Sequence, residues 1–93
     1  MFKCTIGLYG MPRQIAAGNE VELELPDTAG LADLIAALRS AIPGLEGPVI
    51  LAGEDNLTDN YGFNINGRFY TDGKEVRVRP GDRVALLALA TGG

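Results

Sequence analysis

Residues 83–93 read RVALLALATGG. From Val84 to Ala90 every position is apolar, so a strand formed here has no polar face and needs cover on both sides. Helical cover is scarce in this chain. After Pro26-Asp27-Thr28, the residues Leu31, Leu34, Ile35, Leu38 and Ile42 fall on one helical stripe, while Asp33, Arg39 and Ser40 face elsewhere. Asp33 in the first turn and Arg39 near the last suit the helix dipole, and Pro43-Gly44 supplies the stop. One helix covers one face of a sheet. The final strand is therefore expected at the centre, with the helix on one side and another protein on the other.

The remaining pattern supplies the neighbours. Phe2, Cys4, Ile6 and Leu8 alternate with Lys3, Thr5, Gly7 and Tyr9, and Val21, Leu23 and Leu25 alternate with Glu20, Glu22 and Glu24. Both have the period of two of half-buried strands. Residues 10–19 join them through turn formers, Gly10, Pro12 and Gly18-Asn19. Val49-Ile50-Leu51-Ala52 is a candidate short strand, and residues 53–62 (GEDNLTDNYG) are a polar loop. Phe63-Asn64-Ile65 and Arg68-Phe69-Tyr70 flank Asn66-Gly67, the pair that tolerates the positive φ angles of a type I′ turn. Val76 and Val78 alternate with Arg77 and Arg79 before Pro80-Gly81-Asp82 turns the chain again. Hairpin, helix, short strands and a final central strand beside the first describe an α+β, β-grasp (ubiquitin-like) fold. Its mixed sheet of four to five strands packs on one main helix. No repeat or linker interrupts residues 1–93, which read as a single domain with a flexible Gly-Gly tail.

Composition removes most catalytic chemistry. The chain has one cysteine, Cys4, and no histidine, so a disulfide, a cysteine- or histidine-based metal site and a histidine-dependent triad are closed to it. The acids of residues 53–62 do not make a calcium loop, because counting from Asp55 places Leu57 third and Asn60 sixth. No bound cofactor or metal is expected. Cys4, on the inward side of its strand, reads as a small core residue. Without an apolar run long enough for a membrane span or a signal peptide, the chain reads as cytoplasmic. The net charge of −4 conceals an asymmetry, −6 over residues 1–67 and +2 over residues 68–93. An acidic domain is a poor nucleic-acid binder. Arg68, Arg77, Arg79 and Arg83 are instead candidates for docking an acidic protein partner, and Phe69 and Tyr70 read as hairpin packing.

The tail is the remaining candidate for chemistry. Glycine has no Cβ, so Gly92 and Gly93 can lie in a channel too narrow for other residues and present a terminal carboxylate to a buried centre. A carboxylate is a poor electrophile. It needs activation, most simply adenylation by an ATP-using partner, after which a sulfur or nitrogen nucleophile displaces AMP.

Three stretches carry a resemblance: VELELPDTAGLADLIAALRSAIPGL (21–45), FNINGRFY (63–70) and RPGDRVALLALATGG (79–93). They resemble, respectively, the second strand and helix, the Val-Asn-Gly-Arg hairpin and the Gly-Gly ending of the ubiquitin-like sulfur carriers. That is the MoaD/ThiS family of the molybdopterin synthase small subunit and the thiamine sulfur carrier. The N-terminal stretch LYGMPRQIAAGNEVELEL is nearer in length to the molybdopterin-type members. The resemblance implies a non-catalytic carrier whose Gly93 is adenylated by an E1-like enzyme and converted to a thiocarboxylate by a sulfurtransferase system. A synthase large subunit would then accept the sulfur. Gly92, Thr91, Leu87 and Leu89 would contact these partners, together with the four arginines. A ubiquitin-like modifier joined to lysines through the same glycine, and a plain interaction module, are the alternatives.

Overall fold

A computed structural model describes residues 1–70 and 75–89. The chain order is β1 (Phe2–Leu8), α1 (Met11–Ala16), β2 (Glu20–Leu25) and α2 (Leu31–Ala41), then a 3-10 turn (Pro43–Leu45), β3 (Tyr61–Ile65), β4 (Arg68–Tyr70) and β5 (Val84–Ala88). The sheet runs β2-β1-β5-β3-β4. β5 is central, parallel to β1 with Leu8 opposite Leu86, and antiparallel to β3 with Tyr61 opposite Ala88. The remaining pairings are antiparallel.

The alternation in β1, β2 and β5 turns Cys4, Ile6, Leu8, Leu23, Leu25, Val84 and Leu86 to one side, where all are buried. α2 packs Leu34, Ile35 and Leu38 into that layer, and Leu45, Val49 and Ile50 from the chain beyond it complete the core. The start of α2 is fixed by Asp33, whose Oδ2 accepts the Gly30 N–H at 2.9 Å. Near its end, Arg39 reaches Glu46 (2.9 Å) and Asp55 (3.5 Å) and donates to the Glu54 carbonyl, tying the polar loop to the helix.

Three connections differ from expectation. Residues 10–19 are not all turn: Pro12, favoured in the first helical turn, starts α1, and Ala17 at φ 56 closes it. Six residues are too few to display a helical period, and Ile15 and Ala16 pack on the core instead. Val49–Ala52 is not a strand. Val49 and Ile50 are buried at consecutive positions, which extended backbone on a one-sided sheet does not allow, and Ile50 only bridges Glu46 and Leu57. Val76 and Val78 do alternate inward, but among the described residues the stretch joins no strand of the sheet and makes one bridge, Val78 with Ala29 before α2.

The Asn66-Gly67 turn holds as expected, with φ values of 55° and 89°. Asn66 also ties the hairpin to the entry of β5: its Oδ1 accepts the Arg83 N–H at 2.8 Å and its Nδ2 donates to Asp82 Oδ1 at 2.9 Å. Asn66→Ala is expected to lose about 1–3 kcal/mol in urea denaturation. The Asn66 amide and then the Arg79 N–H hold the Asp82 carboxyl below the usual carboxylate range. Its unfolded value is about 3.9, so this contribution is complete above about pH 4 and lost as pH falls through the lower folded value. Asp82→Asn should flatten the stability profile in that acid window.

Candidate functional site

β5 carries the chain up the middle of the sheet and releases it at one end. The last described residue, Leu89, is held there by its N–H donating to the Asn60 carbonyl at 2.8 Å. Its side chain lies over Gly62, where a Cβ would come within 2.9 Å of Leu89 Cδ2. A glycine in β3 is thus what lets Leu89 seat against the sheet. Leu89 also walls a cavity of about 160 Å³ bounded by Tyr61, Tyr70 and Val76. The expected partner-binding and reactive residues Thr91, Gly92 and Gly93 lie outside the described residues.

The sheet face away from α2 carries Ala85 and Leu87, both half-buried, in register with Gly7 and Gly62. The Tyr9 ring stands over Gly7, where a Cβ would lie 3.3 Å from Tyr9 Cε2. Tyr9 is 56% exposed and Met11 47%, and the Tyr9 N–H donates to the Leu86 carbonyl, placing Tyr9 toward the end where Leu89 emerges. Sequence reading passed over Tyr9 and Met11. The signal available was a strand glycine, Gly7, beside an aromatic residue. Phe69, read as hairpin packing, is 49% exposed on this outer face opposite Asn64, whereas Tyr70 packs on the core.

Arg68 and Arg83 are not at that end. Arg68 pairs with Ile65, and Ile65 with Val84, so Arg68 and Arg83 sit at the start of β5, about 16 Å along the strand from Leu89. Arg68 lies 5.2 Å from the Tyr70 ring centroid and 3.8 Å from Glu75. Arg77 donates to the Val76 carbonyl at 2.7 Å, and the Arg79 N–H donates to Asp82 at 2.8 Å. Leu87 and Leu89 are brought to the tail root; Arg68 and Arg83 are not.

No group of three or more metal-ligating side chains occurs among the described residues. The Cys4 thiol is 4% exposed; burial, then the charge of Asp82, pushes its pKa up, which disfavours the thiolate. Among the described residues no helix is long and apolar enough to cross a membrane.

A five-stranded mixed sheet gripping one main helix, with a central last strand leading to the C-terminal residues, defines a β-grasp, ubiquitin-like protein. The ThiS family model matches residues 6–93, and the chain belongs to that family. The crystal structure of small archaeal modifier protein 1 (SAMP1) from Haloferax volcanii is similar at a TM-score of 0.79 and 25% identity, covering 99% of this chain and all of that one. SAMP1 from Methanosarcina acetivorans matches at 0.76 and 21% identity, covering 100% of this chain and 98% of that one. A putative molybdopterin converting factor subunit 1 from Pyrococcus furiosus matches at 0.69 and 24%, covering 95% and 98% respectively. No curated protein matches the chain.

Proposed function

We propose that the chain is a sulfur carrier, a co-substrate rather than an enzyme, whose reacting group is the carboxylate of Gly93. The observation that carries this reading is the reach of the family match, which runs through Gly92 and Gly93 and not only over the fold. An E1-like enzyme supplies ATP. The Gly93 carboxylate attacks the α-phosphate, pyrophosphate leaves, and an acyl-adenylate forms. Hydrosulfide, released from a sulfurtransferase persulfide by a thiol reductant that becomes a disulfide, attacks the acyl carbon and expels AMP, its proton passing to solvent and leaving a thiocarboxylate. A synthase large subunit then takes the sulfur in the cytoplasm. Molybdopterin-type synthesis is the favoured destination, and the Pyrococcus relative is named for it.

The fold's part is to hold the tail root. With Leu89 pinned to Asn60, four residues reach at most about 14 Å, so the partner's centre must lie within that distance of Leu89. Leu87 and Leu89 lie against the partner, and Thr91 and Gly92 enter its channel, while Arg68 and Arg83 stand too far along the sheet to meet the tail root. A second reading is supported by the modifier name of the Haloferax protein: a lysine amine attacks the same acyl-adenylate, AMP leaves and an isopeptide bond forms.

The test is pyrophosphate exchange by the E1-like enzyme encoded in the same genome, followed by addition of sulfide or of a lysine-containing protein. ATP-dependent exchange that requires this chain supports activation at its end. Sulfur incorporation then selects the carrier and a conjugate selects the modifier. No exchange with an enzyme active on another carrier rejects both.

A further inference from the structure

Leu89, the last described residue before the tail, is held at two points by the chain that forms β3. Its N–H donates to the Asn60 carbonyl at 2.8 Å, and its side chain lies across Gly62, two residues further along. One hydrogen bond leaves a pivot; a second contact removes it. Nothing in the backbone asks for glycine at position 62. Its φ lies outside the left-handed region, unlike that of Gly67 at 89°, and it pairs with Leu87 inside β3. A glycine there weakens the strand, since it has no side chain to pack and more freedom to lose. What asks for it is Leu89. A Cβ at position 62 would stand 2.9 Å from Leu89 Cδ2, 3.5 Å from Cγ and 3.7 Å from Cδ1, the closest approach at any described glycine. Those three nearest atoms belong to one side chain, so a methyl at position 62 displaces Leu89 and spares the rest of the sheet.

We propose that Gly62 is a positioning residue for chemistry at Gly93: it gives Leu89 a seat flat on the sheet, and that seat sets the direction in which the tail leaves. The inference rests on the sulfur-carrier reading, and Gly62 itself touches no reacting atom. A root that can turn spreads the end of the tail over more positions, and each unproductive position is subtracted from the rate. Direction at the root therefore acts on the fraction of bound chains that react. It leaves the strength of binding unchanged.

The experiment is pyrophosphate exchange by the E1-like enzyme of the same genome, with the full chain as the varied substrate, for wild type, Gly62→Ala, Leu89→Ala and the double variant. Gly62→Ala should keep the wild-type melting temperature and a KM within about 2-fold, while kcat falls about 10-fold. Leu89→Ala alone already loses the seat, so adding Gly62→Ala to it should slow exchange no further. A double variant slower than Leu89→Ala by the full factor that Gly62→Ala costs alone would overturn the proposal. So would a loss confined to KM and melting temperature, which marks a residue serving only the fold. The seat is checked without the enzyme: in the free chain the Gly62 α-protons should show a strong nuclear Overhauser effect to the Leu89 methyl groups, and its absence overturns the proposal. Exchange by the wild type that is undiminished in Gly62→Ala removes the proposal alone. No exchange by the wild type, with an enzyme active on another carrier, removes the carrier reading and the proposal with it.

Discussion

Removing Gly93 takes adenylation to background and leaves the melting temperature unchanged. The reaction proposed here occurs at that residue's carboxyl carbon. The described core runs from Cys4 to Leu86, and Gly93 has no side chain to add to it. Ending the chain at Gly92 still offers a carboxylate, but one residue short, about 3.5 Å from where the partner needs it. Gly92→Val tests the channel separately: a β-branched side chain in a slot shaped for glycine displaces the reacting group, and a displacement of about 1 Å can cost about 100-fold in rate. Both variants are read by pyrophosphate exchange beside a thermal melt. Exchange at the wild-type rate in either, with folding intact, counts against the terminal carboxylate.

Leu38→Ala is expected to have the largest effect on stability. Leu38 is fully buried at the centre of the α2 stripe, and its truncation should cost about 2–5 kcal/mol in transfer and cavity terms. A domain of this size has a total stability of about 5–15 kcal/mol, so much of the folded margin would go. Urea denaturation should show a lowered midpoint with an unchanged slope. Loss below 1 kcal/mol would mean that α2 is not the principal cover of the sheet.

The elements that could be read from sequence are those whose burial is one-sided and periodic. β1, β2 and α2 each repeat their apolar residues over several turns or pleats, and β5 announces its central place by lacking a polar face. The hairpin was legible because Asn-Gly chemistry is local. What escaped reading depends on contacts between distant segments. α1 is too short for periodicity and exists because Ile15 and Ala16 find the core. Val49 and Ile50 look like a strand but are buried side by side in the core, their N–H groups both donating to the Leu45 carbonyl. The site was legible in part for the same reason. Gly92-Gly93 is visible as a motif, and Leu87 and Leu89 follow from the two-faced apolar run. Register alone separates Arg68 and Arg83 from the tail root.

The most direct test of the central claim is tandem mass spectrometry after incubation with the E1-like enzyme, ATP and sulfide. Trypsin cuts after Arg83 and releases Val84–Gly93 as one peptide. The account predicts that its C-terminal fragment ions carry the mass difference of sulfur for oxygen and that the residues up to Gly92 are unmodified. Sulfur found on Cys4, or a C-terminal peptide of unchanged mass beside an enzyme that is demonstrably adenylating this chain, would contradict it.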